Sequence, residues 1–365
     1  MKKLFRYPGV ICIILTLLAH NTLFAQTYAR NGMVASSSMI ASEIGRDVLQ
    51  GGGNAIDATV ATAFALAVTW PTAGNIGGGG FIVFMDKAGD VTTFDFREKA
   101  PLAASADMFL DEKGQLIEGS NHFSALAVGV PGTVAGLFQA HQKYGTLPWN
   151  ELVQPAVDLA KNGFAFTWTL YHQALNIQEN WTAYPDMIHY FRNEKGEIPQ
   201  PGEIWQQPEL AHTLELIRDK GHDGFYKGEV AKKLTKYMKD QGGIINKKDL
   251  AKYEAIERQP VKGNYRGYDV YSMPPPSSGG VALVEMLNIL ENYDLKATGF
   301  NSAAYYHLVA EAMRRAFADR AEHLGDPDFN TELPIDHLTS KEYAKRLSAS
   351  INLEYASVSD SSRFG

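Results

Sequence analysis

The chain's only cysteine, Cys12, falls in the apolar run from Val10 to Ala19, so a fold built beyond that run must hold without a disulfide. The run is preceded by the basic stretch Met1-Lys2-Lys3-Leu4-Phe5-Arg6 and followed by Leu23-Phe24-Ala25 before Gln26. Basic, apolar and small residues in that order read as a secretory signal over 1–25, with cleavage expected after Ala25. Cys12 follows Val10-Ile11 and not the small residue of a lipoprotein-type site, so it reads as one more apolar residue of the leader. The run is shorter than the roughly 20 apolar residues of a membrane span, and no later stretch reaches that length without a charge or glycine. The expected mature protein is therefore soluble, without a membrane span, and periplasmic or secreted. It has no thiol nucleophile and no cysteine to ligate a metal.

Loss of Lys2, Lys3 and Arg6 takes the formal net charge of −7 to about −10. An acidic protein of that kind is a poor partner for nucleic acid or an acidic membrane surface. A length of 365 residues would accommodate roughly two domains at about 150 residues each. Yet no repeat or linker-like tract interrupts residues 30–340, so 26–347 is expected to form one compact unit. From Ser348 the pattern dissolves into Ser, Asp and Arg, which reads as a flexible tail or a truncated end over 348–365.

Between those limits helical and β-type patterns are mixed, giving an α/β class. Ser37 to Gln50 has Ile40, Ile44, Val48 and Leu49 at helical spacing, and Gly51-Gly52-Gly53 stops it. Asn54 to Val68 is apolar on most sides, the mark of a helix covered by other elements. Phe81 to Phe84 and Val91 to Arg97 flank the turn-like Lys87-Ala88-Gly89-Asp90 and read as a hairpin. Its second strand puts Phe94 and Phe96 on one face, Asp95 and Arg97 on the other. A strand is expected at Ala125 to Val130, followed by a helix through Tyr144 that Gly145 closes in a left-handed conformation. Further helices are expected at Asn150–Asn162, Pro208–Lys220 and Gly228–Gln241. Strands near Tyr253–Gly263 and Tyr268–Met273 would form a second hairpin. Ser277 or Ser278 would cap a helix through Asn292, and a long helix would run from Ser302 to His323.

Few residue patterns point to chemistry. The run Gly77 to Gly80 leads into a strand and Gly51 to Gly53 follows a helix, both the wrong context for a dinucleotide fingerprint. Neither a phosphate loop nor a Gly-x-Ser-x-Gly elbow occurs. His307 and Glu311 stand one helical turn apart, too few ligands for zinc. Gly325-Asp326-Pro327-Asp328 lacks the spacing of a calcium loop and reads as a turn. No metal and no cofactor is expected. Arg97 stands out: an arginine at a strand end beside a glycine-rich turn can fork onto a carboxylate, or it can pair with Asp95 or Glu98.

Five strings, in order, closely resemble the γ-glutamyltranspeptidase family: Gly51-Gly52-Gly53-Asn54-Ala55-Ile56-Asp57-Ala58, Gly74 to Phe81, Asp95-Phe96-Arg97-Glu98-Lys99-Ala100-Pro101, Gly129-Val130-Pro131-Gly132-Thr133, and Pro274 to Gly280. The resemblance spans about Asn31 to Arg363, the family's large subunit. It implies an N-terminal-nucleophile hydrolase with an αββα sandwich, of which this chain supplies the large-subunit part. It also implies an enzyme in which the amino-terminal threonine of a small subunit, cut from the same precursor, attacks γ-glutamyl amides such as glutathione. Water or an acceptor amino acid or peptide then resolves the acyl-enzyme. Arg97 matches the family arginine that binds the α-carboxylate of the γ-glutamyl group. The family's threonine and its oxyanion-hole glycines have no counterpart up to Gly365, so no catalytic residue is expected in this chain. Two alternatives remain: a cephalosporin acylase-like amidase of the same superfamily, and a truncated, non-catalytic fragment.

Overall fold

A computed structural model describes residues 29–180 and 185–359. The expected leader, its cleavage point and residues 360–365 of the expected tail lie outside the described residues. Helix α1 (Met39–Gln50) starts at Ser38, whose hydroxyl accepts from the Ala41 amide, and ends at Gly51, with Gly52 left-handed at φ +94°. Helix α2 (Ala55–Thr69) opens with a capping box. Asn54 accepts from the Ile56 and Asp57 amides, and Asp57 accepts from the Asn54 amide at 2.8 Å. As its composition implies, α2 is buried on nearly every side. The Phe64 ring meets Trp149 edge-on at 5.5 Å.

Strands β1 (Phe81–Met85) and β2 (Val91–Asp95) pair antiparallel in the expected hairpin, Phe81 opposite Asp95. A two-residue ladder follows, β3 (Phe164–Ala165) with β4 (Ile204–Trp205). The second expected hairpin is corrected. Its first strand divides at Pro260, which has no amide to donate to a ladder. The upstream piece, β5 (Ile256–Arg258), joins the free edge of β2, giving the order β1-β2-β5. The downstream piece, β6 (Val261–Tyr265), pairs with β7 (Tyr268–Ser272) across Arg266 and Gly267, both at positive φ as a tight two-residue turn requires.

Two other local expectations fail. Ala125 to Val130 forms no strand: Ser124 caps a single 3₁₀ turn, Ala125–Ala127, and only Val130 makes a bridge, to Lys99. Gly145 is extended (φ −69°, ψ 153°), and it is glycine for want of room, since a Cβ there would lie 2.4 Å from the His141 ring.

The main core joins α2, β2 and the helices α3 (Thr133–Tyr144), α4 (Trp149–Asn162) and α5 (Pro208–Lys220). Beyond Val261 two smaller clusters form around α6 (Gly279–Leu290), α7 (Ala303–His323) and α8 (Lys341–Ala349). The segment expected to be loose from Ser348 is held as far as Ser357. Ile351 is buried, Arg315 donates to the Ser350 carbonyl at 3.0 Å, and the Ser357 amide donates to Glu311 at 2.9 Å. Its polar sequence reads as loose because the anchor is a charged pair on another helix. No helix among the described residues is long and apolar enough to cross a membrane.

Candidate functional site

Four of the five strings meet around Arg97, two residues beyond the end of β2. Phe96 keeps the ladder going by exchanging backbone hydrogen bonds with Gly80 (3.1 and 3.3 Å). The glycines serve close backbone approach. A Cβ on Gly79 would lie 2.5 Å from the Phe96 carbonyl oxygen, and one on Gly132 2.1 Å from the same oxygen and 2.0 Å from the Tyr253 hydroxyl. The Gly78 carbonyl accepts from the Gly132 and Thr133 amides, while Asn75 Oδ1 accepts from the Gly78 amide (2.9 Å) and the Thr133 hydroxyl (2.6 Å). The glycine run and the Gly129–Thr133 string are thus cross-tied directly behind residue 97. The fifth string lies elsewhere. Burial pushes the Asp57 carboxyl upward, but hydrogen bonds from Thr146, Asn54 and Leu147 outweigh it and hold Asp57 below its usual range.

The Arg97 backbone is fixed at both ends: its amide donates to Asp95 Oδ1 at 3.1 Å, and its carbonyl accepts from the Tyr253 hydroxyl at 2.8 Å. Burial raises the Tyr253 pKa, so the phenol keeps its proton and remains a donor. The Arg97 side chain is exposed, and Nη1 donates to the Pro276 carbonyl at 3.3 Å, bringing in the Pro274–Gly280 string. Among the described residues no carboxylate lies within ion-pair distance of it. The pairing available to it from sequence, with Asp95, is taken: Asp95 is buried and accepts from Arg258 Nε at 2.9 Å, and Arg258 Nη2 also donates to both oxygens of Asp328 at 3.1 Å. Burial disfavours the Arg258 charge, yet these two carboxylates outweigh it and raise the guanidinium's pKa. So the polar face of β2 is covered at Asp95 and open at Arg97.

Ser278 takes the N-cap position of α6 as expected, but its hydroxyl makes no capping hydrogen bond. Ser277 Oγ is 3.4 Å from the Gly279 amide, at the outer limit of a hydrogen bond, and Ser278 Oγ accepts from Arg320 Nε at 2.6 Å. His307 and Glu311 are not partners either. His307 Nε2 lies 2.7 Å from the Asn352 carbonyl, while Glu311 accepts from Arg315 Nη1 at 2.7 Å. Asp326 Oδ1 accepts from the Asp328 amide, forming the expected turn. Sequence reasoning singled out neither Tyr253, Arg258 nor Arg320. Tyr253 is 156 residues from the carbonyl it binds, so no spacing pattern could reveal it.

The family model described as Gamma-glutamyltranspeptidase matches residues 41–363. A "Glutathione hydrolase proenzyme" of Pseudomonas sp. (strain A14) is 49% identical over 346 residues, 93% of this chain and 59% of that protein. The chain thus spans about three fifths of the length of the curated relatives it matches. A solved Helicobacter pylori gamma-glutamyltranspeptidase superposes with a TM-score of 0.88 at 45% identity, covering 91% of this chain and 95% of that one. An "Acylase ACY 1 proenzyme" of Pseudomonas sp. (strain SE83) is 40% identical over 331 residues, 89% of this chain and 59% of that protein.

Proposed function

This chain belongs to the gamma-glutamyltranspeptidase family and has its N-terminal-nucleophile hydrolase α/β fold, and we propose that it is the large-subunit region of an exported γ-glutamyltransferase and glutathione hydrolase. In this reading Arg97 grips the α-carboxylate of a γ-glutamyl donor. A threonine at the amino terminus of a small subunit, cut from the same precursor, supplies the nucleophile. Its hydroxyl adds to the γ-carbonyl with its own amine as base, the amide C–N bond breaks, and the leaving amine departs with a proton. Water, or the amine of an acceptor amino acid or peptide, then resolves the ester. Export rests on the leader-like residues 1–25.

The observation that carries this reading is the state of the Arg97 side chain: exposed, backbone-locked by Asp95 and Tyr253, and without a carboxylate partner among the described residues. A guanidinium held in one place and free of an ion pair suits a planar, bidentate carboxylate. The need for a second subunit draws support from the word "proenzyme" in the relatives' names and from apolar side chains left exposed, such as Val83 and Met85 on β1 and Met313 and Phe317 on α7.

Co-expression with the small subunit tests the reading. Release of product from glutathione is expected, and Arg97→Ala should lower kcat/KM about 30- to 5000-fold, the equivalent of roughly 2–5 kcal/mol for truncating one member of a buried charged pair. Arg97→Lys should recover only part of that loss, because an ammonium lacks the fork. An unchanged kcat/KM in Arg97→Ala would sink the assignment. The acylase relative gives one specific ground for a second reading, an amidase acting on acyl chains without an α-amino acid end. Turnover of a glutaryl amide in preference to glutathione, insensitive to Arg97→Ala, would favour it. The chain alone should hydrolyse nothing under either reading or if it is a non-catalytic fragment.

A further inference from the structure

Two buried carboxyl groups face each other between α6 and α7. Glu285 and Asp319 are 1% and 2% exposed, and they hydrogen-bond to one another. Asp319 Oδ2 also accepts from the Tyr343 hydroxyl of α8 at 2.7 Å. Glu285 Oε1 is buried without a hydrogen-bond partner among the described residues, a place where an ionised carboxylate is costly and a neutral acid is tolerated. Burial and the Asp319 charge accordingly push Glu285 up to about 9, so through the neutral range Glu285 keeps its proton and donates it to Asp319. Other charges stand further off. The Tyr343 ring has Arg346 at 5.4 Å and the His337 ring at 4.4 Å. On α7, Arg315 is held by Glu311 and Arg320 by Ser278, and His323 lies one turn beyond Asp319. The face of β6 is apolar here, Val261 clustering with Val281 and Val284 of α6, while Lys262 pairs with Asp269 of β7 at the surface.

Helix α6 links this pair to Arg97. Its first turn is packed on the residue that follows β7: a Cβ on Gly280 would lie 2.2 Å from the Met273 carbonyl oxygen. The turn between them is closed by the Ser277 amide on the Pro274 carbonyl at 3.1 Å, and it presents the Pro276 carbonyl to Arg97 Nη1. A shift of α6 therefore moves the acceptor that orients the guanidinium.

We infer that Glu285 is a positioning residue for donor binding: the proton it shares with Asp319 keeps α6 seated on α7 and, through the turn at Pro276, keeps the Arg97 guanidinium in place. The inference rests on the γ-glutamyl reading of Arg97. Loss of that proton leaves two carboxylates in contact with no water to screen them, and their repulsion drives α6 from α7. The donor then meets a guanidinium that has lost its backbone anchor.

The test follows KM and kcat of the assembled two-chain enzyme for glutathione from about pH 7 to 10. In wild type, KM should rise about 2- to 10-fold as the pH passes about 9, the worth of one hydrogen bond. Glu285→Gln keeps a neutral donor for Asp319 and cannot ionise, so its curve should lack this rise. Glutathione and the second subunit titrate alike in both enzymes, and the difference between the curves belongs to position 285. Glu285→Ala should show the raised KM already at neutral pH. The loss should fall on KM, since a displaced Arg97 weakens ground state and transition state together, whereas loss of folded enzyme lowers only kcat. In an Arg97→Ala background the difference in kcat/KM between Glu285 and its Gln variant should vanish. Coincident KM curves for wild type and Glu285→Gln, an unraised KM in Glu285→Ala, or a difference that is confined to kcat or survives Arg97→Ala would overturn the inference. A kcat/KM untouched by Arg97→Ala alone would instead sink the γ-glutamyl reading beneath it.

Discussion

Around Phe64 the first part of the chain keeps one continuous apolar core, reaching from Ile56 to Tyr253, whereas around Leu308 the second part keeps only small clusters. The two also differ in what they bury besides hydrocarbon. The first encloses polar groups such as Asp57 and Gln207, each with hydrogen-bond partners within the same region. The second encloses an ion pair, Glu311 against Arg315, and two adjacent carboxyl groups, Glu285 beside Asp319. It also leaves Tyr306, Met313 and Phe317 exposed along α7. Their spacing of seven and four residues makes one stripe of that helix. The first region thus has the larger closed core, with Val83 and Met85 of β1 still exposed, and the second has the composition of a face that another surface completes. Arg97 sits at the join, its backbone held by the first region and its side chain by the turn at Pro276 in the second.

The largest effects should separate the two cores. Phe64→Ala removes a fully buried ring packed on Trp149 and should cost about 3–5 kcal/mol, lowering the midpoint of the whole first region in urea. Leu308→Ala should cost only about 2–3 kcal/mol, since the small cluster around it can collapse into the space. Hydrogen exchange should show that loss confined to α6, α7 and α8. If Leu308→Ala destabilises the whole chain as much as Phe64→Ala does, the two regions are one cooperative unit and the distinction fails. Next, Glu311→Ala should cost about 3 kcal/mol by leaving the 1%-exposed Arg315 guanidinium without its carboxylate. It should also free the segment near Ser357, which limited proteolysis would detect as new cleavage after residue 350.

How far the sequence reveals this difference depends on range. Helices α2 and α7 and the hairpin of β1 and β2 were legible because turns and periodicity are local signals. Arg97 was singled out by the strings around it, but the engagement of Asp95 by Arg258 was not visible, since that depends on β5 crossing to β2. The break at Pro260 was readable in principle: a proline inside a strand-like run belongs at an edge or a break. The charges of the second region were less legible. Glu311 and Arg315 stand at ordinary helical spacing, and nothing local says they are buried. Glu285 and Asp319 are on different helices, with no pattern to join them.

Smaller effects should appear as pH dependence. Burial, with the neighbouring Asp319 carboxylate, pushes Glu285 up to about 9. Tyr343 donates to Asp319 Oδ2 at 2.7 Å, burial raising its pKa, and Arg346 lies over the Tyr343 ring. With the folded pKa above the unfolded one, the folded state binds the extra proton. That stabilisation is complete below about pH 4.5 and is lost as the pH climbs towards about 9, at no more than ~1.4 kcal/mol per pH unit. Asp57 behaves with the opposite sign: its depressed pKa gives stability that is present above the ordinary aspartate range and fades as acid is added. Alkali should therefore loosen the second region first. Urea unfolding between pH 5.5 and 9, followed by a probe near α6, should show a falling midpoint that Glu285→Gln flattens. A slope identical in the variant would remove Glu285 as its cause.

The smallest predicted difference lies between two helix caps. Asn54 accepts from two amides and its own Nδ2 donates to the Tyr144 carbonyl at 2.6 Å, tying α2 to the end of α3. Ser302 accepts only from the Tyr305 amide, at 3.1 Å, and returns its proton to the Thr298 carbonyl one turn back. Asn54→Ala should cost about 1–2 kcal/mol and Ser302→Ala about 0.5–1 kcal/mol, because the first loses a bond between helices and the second only local ones. Equal costs would mean that the tie from Asn54 to Tyr144 adds nothing beyond the cap. The closure of the first region would then rest on apolar packing alone.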